Sequence, residues 1–305
     1  MNKNILFGTI LTLTLLAGFT GCEEEYTVYD GPLYIMFADT LSVVGVENSN
    51  TYHDIHIGAT KASDKDRTFA VEVIEQESSA IEGRHYEIES NTVTIKAGEL
   101  ATNVRIRGIY ENLAVDVENL PVLTLRLITP DETHCNLYEK DGLETKVMLQ
   151  KICPFDVNAF TGYAMVTSTF LYNYVGSYNR LIETSVDTTD TERKTVILHD
   201  YLYDGYDVKV KFTTKDMLNP LIEMDDQPMA STGEAFGTIY GDGMLHIYQP
   251  SSMVSYYSSC EKFILQYMTV WVPGMEPGYN TVGTFINAVE WISDDEARIL
   301  KQQGY

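Results

Sequence analysis

Leu123-Thr124-Leu125-Arg126-Leu127 spells a strand: three leucines at alternate positions, with a hydroxyl and a guanidinium between them. Successive side chains of a strand point to opposite faces, so this spacing buries one face and leaves the other wet, as antiparallel sheets do. The same period of two recurs upstream. Phe69, Val71 and Val73 alternate with Ala70 and Glu72, and Val104 and Ile106 alternate with Arg105 and Arg107. Short strands about ten residues apart, with turn signals between them, predict a sandwich. The turn signals include Ser63-Asp64-Lys65-Asp66 and Ala97-Gly98-Glu99. No helix is expected between Leu33 and Ile152.

The closing strand reads from Lys146 to Lys151, and Pro154 cannot continue a ladder, so the boundary is set at Cys153-Pro154. Beyond it, strand candidates fall at residues 164–170, 181–186, 195–199, 206–213, 221–224, 235–240, 244–248 and 263–272. Val208, Val210 and Phe212 alternate with Lys209 and Lys211, again one face in and one out. The only clear helix is the last. Ser293-Asp294-Asp295-Glu296 is a capping box, with Ala297, Ile299 and Leu300 behind it and Lys301 near its end. The acidic pair Asp294-Asp295 is thereby accounted for structurally. The fold class is all-β, laid out as 1–21 leader, 22–32 acidic tether, 33–152 sandwich and 153–305 second domain.

Several stretches carry family resemblances. Ser79-Ala80-Ile81-Glu82-Gly83-Arg84-His85-Tyr86-Glu87, then Val93-Thr94-Ile95-Lys96-Ala97-Gly98-Glu99, then Val104-Arg105-Ile106, resemble the Calx-beta type of immunoglobulin-like sandwich. That likeness implies the fold. It does not carry the calcium site, because His85 stands where the family has Asp, and Tyr110 to Pro121 lacks the later acidic pattern. A calcium ion needs six to eight oxygens, so no metal site and no cofactor is expected. The opening Phe160-Thr161-Gly162-Tyr163, followed by an antiparallel meander, resembles the small lipocalin-like barrels of Bacteroidetes lipoproteins. The two-domain layout, with the tail Ala288-Val289-Glu290-Trp291-Ile292-Ser293, is similar to gut-bacterial surface lipoproteins whose second domain has no assigned activity.

The N-terminus agrees with that address. Met1-Asn2-Lys3-Asn4 is a short positive region, Ile5 to Ala17 is apolar, and small residues precede Cys22: the shape of a secretory signal. Phe19-Thr20-Gly21-Cys22 resembles a lipobox, which implies cleavage before Cys22 and lipidation of its sulfur; the other reading is an ordinary signal with an incidental cysteine. Glu23-Glu24-Glu25 resembles the surface-export signal of Bacteroidetes lipoproteins, implying an outer-membrane protein, lipid-anchored and facing outward; three glutamates are equally a solvated linker. Removing residues 1–21 leaves 284 residues and takes away only Lys3, so the net charge moves from −23 to −24. Such a surface repels phosphate backbones and excludes nucleic acid as a partner.

No sequence signature for catalysis is present. His53-Asp54-Ile55-His56 puts two imidazoles three residues apart, on opposite faces of a strand, where one metal ion cannot take both. Gly241-Asp242-Gly243 reads as a hairpin turn. Asp225-Asp226 is a loop pair to which the sequence brings no acid/base partner. After Cys22 only Cys135, Cys153 and Cys260 remain; a Cys135–Cys153 bridge and three unpaired thiols both fit. What stands out is aromatic. Fourteen of the 21 tyrosines and both tryptophans lie in residues 154–305. Tyr172, Tyr174, Tyr201 and Tyr203 sit in loop-like surroundings, where an amphipathic ring suits sugars or protein surfaces; the alternative is that such rings fill barrel rims. The functional expectation is a non-catalytic binding or interaction lipoprotein with a glycan or surface-protein ligand. A structural envelope component and a hydrolase whose site assembles from distant residues are the alternatives.

Overall fold

Alternation builds the first half of the chain. The computed structural model describes residues 29–115, 119–130 and 142–305, and its first strands form two sheets. In chain order they are β1 (Ile35–Phe37), β2 (Leu41–Val46), β3 (His53–Ala59), β4 (Arg67–Val73), β5 (Tyr86–Ile88), β6 (Thr92–Ile95), β7 (Ala101–Gly108), β8 (Val122–Ile128) and β9 (Glu144–Lys151). One sheet is ordered β1-β3-β7-β5 and the other β2-β9-β8-β4-β6. Their inner faces share a core: Leu123, Leu125, Leu127, Phe69 and Val71 from one sheet, Ile55, Ile57, Val104 and Ile106 from the other. Outside, Arg126 pairs with Glu72 at 3.1 Å and Glu144 at 2.7 Å, its two cross-strand neighbours in the register. Thr124 departs from the expected alternation. The 3-10 turn Glu75–Glu77 covers it, and its hydroxyl donates to the Glu77 carbonyl at 3.0 Å.

The second half curls one long antiparallel sheet around its own core. Its strands are β10 (Gly162–Ser168), β11 (Asn179–Val186), β12 (Thr195–Leu198), β13 (Val208–Phe212), β14 (Ile222–Glu223), β15 (Gln227–Ser231), β16 (Met244–Tyr248), β17 (Tyr256–Ser258), β18 (Phe263–Trp271) and β19 (Thr281–Trp291). The order is β14-β13-β12-β11-β10-β19-β18-β16-β15, with β17 on β18. Closure combines backbone bonds between the β14 and β17 segments, Ile222 N–H to the Ser255 carbonyl and Tyr257 N–H to the Pro220 carbonyl, with one side chain. Gln227 at the start of β15 accepts from the Lys209 N–H at 2.8 Å and donates to the Lys209 carbonyl at 2.9 Å, replacing a ladder rung on β13. The result is a lipocalin-like barrel after an immunoglobulin-like sandwich. At one end Phe160 meets Phe212 at 4.6 Å and the Trp291 ring at 5.0 Å, with Tyr257 edge-on to Phe212 at 4.9 Å.

Three helices decorate the barrel, where the sequence showed one. α1 (Thr169–Tyr174) ends β10 at Ser168, whose hydroxyl accepts from the N–H groups of Phe170 and Leu171. α2 (Thr232–Phe236) replaces the strand expected at residues 235–240; Ser231 caps it and Gly237 ends it at φ +70°. Both are short, so capping and packing rather than periodicity form them. α3 (Asp294–Gln302) is the expected helix, and Ser293 accepts from the Glu296 N–H at 3.3 Å. None of the helices among the described residues is long and apolar enough to cross a membrane. The cysteine expectation is corrected as well: Cys153, just past β9, is bonded to Cys260 in the β17–β18 turn, with 5.2 Å between their Cα atoms. Cys22 and Cys135 lie outside the described residues.

Candidate functional site

Two surfaces of the barrel gather chemistry-bearing side chains, one aromatic and one polar. The aromatic surface is built where α1 and α2 cap the end opposite Phe160. Tyr174 lies 5.5 Å from Phe236 in α2, and Phe236 lies 6.1 Å from Tyr240. Tyr172 stacks on Tyr178 at 4.0 Å with only 12° between the rings. Tyr172 and Tyr178 are each 51% exposed, Tyr174 39% and Tyr240 44%, with Val175 and Ile239 also exposed. The turn beneath Tyr240 is tight: Gly241 has φ +55° and packs on the Pro273 backbone, where no Cβ would fit, while Asp242 N–H donates to the Pro273 carbonyl at 2.9 Å. Gly241-Asp242-Gly243 is thus a turn, entered from a helix rather than a strand.

Of the four tyrosines singled out by sequence, the structure exposes two and buries two. Tyr172 and Tyr174 belong to this rim. Tyr201 is fully buried and Tyr203 nearly so, which corrects the expectation that they share it. The segment between β12 and β13 folds inward, held by Tyr201 N–H to the Tyr206 carbonyl and Gly205 N–H to the Asp200 carboxylate. Inside, the Tyr201 hydroxyl donates to Gln266 Oε1 at 2.5 Å, and Asn287 Nδ2 donates to the same oxygen at 3.2 Å. Burial raises the pKa of both phenols above the ordinary tyrosine value, and that of Tyr201 far above it. Phe236 and Tyr240 were missed, because a strand was expected there.

The polar surface lies on the outer wall. His199 follows β12, and its Nδ1 is 2.9 Å from Asp207 Oδ2 while its Nε2 is 2.8 Å from the Ser185 hydroxyl. Asp207 also accepts from the Asp200 N–H at 3.1 Å. His199 lines a cavity of about 290 Å³ together with Tyr163, Arg180, Glu183, Asp200 and Lys301. Lys301 of α3 donates to the Tyr163 hydroxyl at 2.9 Å, a bond that raises its pKa above the ordinary lysine value. A second imidazole–carboxylate pair answers the question left by Asp225-Asp226. Asp226 accepts from Trp271 Nε1 at 3.0 Å, and its other oxygen is 2.6 Å from His246 Nδ1. In the sandwich, His56 faces outward and bonds Asn103 at 2.7 Å, on the face opposite His53. Among the described residues no group of three or more His, Cys, Asp or Glu is placed to hold a metal ion.

A family model described as "Domain of unknown function (DUF4984)" matches residues 140–303. Among solved structures, a protein of unknown function from Bacteroides ovatus is 12% identical, over 84% of this chain and 89% of its own, with a TM-score of 0.34. An auxiliary nutrient binding protein from Bacteroides thetaiotaomicron is 13% identical, over 83% of this chain and 91% of its own, with a TM-score of 0.31. The apo-form Calx CBD1 domain is 14% identical, over 40% of this chain and 98% of its own, with a TM-score of 0.30. No curated protein matches.

Proposed function

The chain belongs to the DUF4984 family, and we propose that it is a surface lipoprotein whose barrel captures a carbohydrate on the aromatic rim formed by α1, α2 and the turn after α2. The observation that carries this reading is the pair of half-exposed ring groups that α1 and the segment after α2 bring to this end of the barrel, the Tyr172–Tyr178 stack and Tyr174 with Phe236 and Tyr240. Exposed aromatics gathered in one place mark contact sites. A tyrosine ring offers a flat apolar face to the C–H side of a pyranose, and its hydroxyl reaches the sugar's polar edge. Phe236 and Phe285 pack beneath Tyr174, which fixes the ring before any ligand arrives and lowers the ordering cost of binding. The outer-membrane address is part of the proposal and rests on the sequence alone: the lipobox at Cys22 and the acidic run behind it.

A glycan-array screen of the soluble mature chain tests the binding half. Tyr172→Ala and Tyr240→Ala should each weaken attachment by about 1–2 kcal/mol, roughly five- to thirty-fold, with a smaller effect on the melting temperature because each ring is only half-buried. An empty array, or variants that bind as well as wild type, refutes the rim. For the address, Cys22→Ser should move the protein from membranes to the soluble fraction, since two or more acyl chains anchor stably. Unchanged membrane association of that variant removes the lipoprotein reading.

A further inference from the structure

We propose that Ser185 is an activated nucleophile and that, with His199 and Asp207, it forms a site that cleaves small hydrophilic esters. This inference is independent of the aromatic rim. The three side chains stand in the order that acyl transfer requires: hydroxyl to imidazole at 2.8 Å, imidazole to carboxylate at 2.9 Å. Asp207 is itself held, accepting the Asp200 N–H through its second oxygen. That contact fixes the carboxylate against His199 Nδ1; because a carboxylate only accepts, their bond calls for the proton on Nδ1, and in the neutral ring Nε2 is left to accept from the Ser185 hydroxyl. Ser185 is half-buried on the outer wall, and the His199 side chain is 36% exposed. The hydroxyl–imidazole contact therefore sits at the edge of solvent, beside the cavity that His199 lines.

The chemistry balances with water as the co-reactant. The Ser185 oxygen bonds to the ester carbonyl carbon while its proton passes to His199 Nε2. The bond from that carbon to the alcohol oxygen then breaks, and the departing alcohol takes the proton. Water, deprotonated by the same imidazole, attacks the acyl-serine and releases the carboxylic acid, with the proton returned to Ser185. Asp207 is a positioning residue that keeps the imidazole oriented and balances its transient charge. Ser185 lies within the β11–β12 ladder opposite Ile197, so side chains must meet the developing oxyanion. Tyr163, paired across the ladder with Glu183, and Lys301, which bonds the Tyr163 hydroxyl, are donors on the same outer wall, lining the cavity that His199 borders beside Ser185. That cavity, about 290 Å³ and lined by Arg180, Glu183, Asp200 and Lys301, offers a charged surface to the polar alcohol of a small ester whose acyl carbon meets Ser185 beside it.

The test uses a fluorophosphonate probe on the folded full-length mature chain, with peptide mapping by mass spectrometry and a heat-denatured control. The serine oxygen should displace fluoride from phosphorus in the folded protein only, leaving an adduct on Ser185. The adduct should be lost in Ser185→Ala. It should form about 100-fold more slowly in His199→Gln, the lower end of what a general base contributes. Asp207→Asn should slow it by a smaller factor. A wild-type chain left unlabelled at Ser185 overturns the proposal whatever the variants do, as does a His199→Gln protein that folds and labels at the wild-type rate.

Discussion

Replacing Cys153 and Cys260 together by Ser removes a cross-link whose worth follows from its position in the chain. The two cysteines are 107 residues apart, and the bridge closes that length into a loop. Loop-closure entropy for 107 residues amounts to about 4.8 kcal/mol at 25 °C. The bonded ends explain where the stability is felt. Cys153 sits at the exit of the sandwich strand β9, and Cys260 sits in the β17–β18 turn, so the loop encloses β10 through β17. The loss should therefore fall on the barrel. Both tryptophans, Trp271 and Trp291, belong to the barrel strands β18 and β19, so their fluorescence follows that transition in urea. The midpoint should drop by the equivalent of about 3–5 kcal/mol, and m should rise because the uncross-linked denatured chain exposes more surface. In a thermal scan the same loss is about 10–20 °C. Reductant should shift the wild type to the variant's midpoint and leave the variant where it was. A loss below about 1 kcal/mol would refute the entropic account, since native bridges of this loop length cost more to remove. Peptide mapping that joined Cys153 to Cys135 would refute the pairing itself.

Gln227→Ala removes the side-chain amide that stands in for a ladder rung at Lys209; the expected cost is about 1–2 kcal/mol, with faster exchange of the Lys209 amide hydrogen, and unchanged protection there would show that the seam is held otherwise. Asp187 accepts from the Lys209 ammonium and from both the hydroxyl and the N–H of Thr189, which lowers its pKa from 3.8 to about 2. A depressed folded value means that the carboxylate adds stability above about pH 4 and loses that contribution as the pH falls toward 2, so the gap between wild type and Asp187→Asn in urea midpoint should narrow across that window. A gap of constant size from pH 5 to pH 2.5 would contradict the assignment.

The sheets were legible where one face is apolar and the next residue is not. Leu123 to Leu127 and Val208 to Phe212 declare their inward sides in the sequence, and the structure buries those sides. The signal fails where a strand carries polar groups inward or a proline within. In β19 the inward series runs Phe285, Asn287, Val289, and Asn287 is buried because Gln266 across the ladder accepts from it. β15 contains Pro228 and a register shift between Pro228 and Ala230, so no period of two survives to be read. α1 and α2 span six and five residues, too short for a helical repeat to show; their serine caps were visible only as serines. The tyrosines divide for a related reason. Tyr201 and Tyr172 sit among similar neighbours in the chain, and only the inward fold of the β12–β13 connection separates a core ring from a rim ring.

The Ser185, His199 and Asp207 constellation was out of reach of any reading along the chain, because strand register alone creates it. The three residues are 14 and 8 positions apart, spacings that match no motif. Thr184 pairs with Leu198, and Leu198 pairs with Val208. Continuing those ladders by one residue sets His199 across from Glu183 on one side, where its N–H donates to the Glu183 carbonyl at 2.9 Å, and across from Asp207 on the other. Ser185 then stands diagonal to the imidazole, within reach of a long side chain on the same outer face. A slip of one residue at either ladder would turn one partner inward and break the relay. The register is held by what faces the core, Val196 and Leu198 on β12 against Ile182 and Thr184 on β11 and Val208 and Val210 on β13. Thus the buried apolar row, which serves stability, fixes the placement of the polar row outside it. A substitution that shifts β12 should abolish probe labelling at Ser185 without touching any of the three residues.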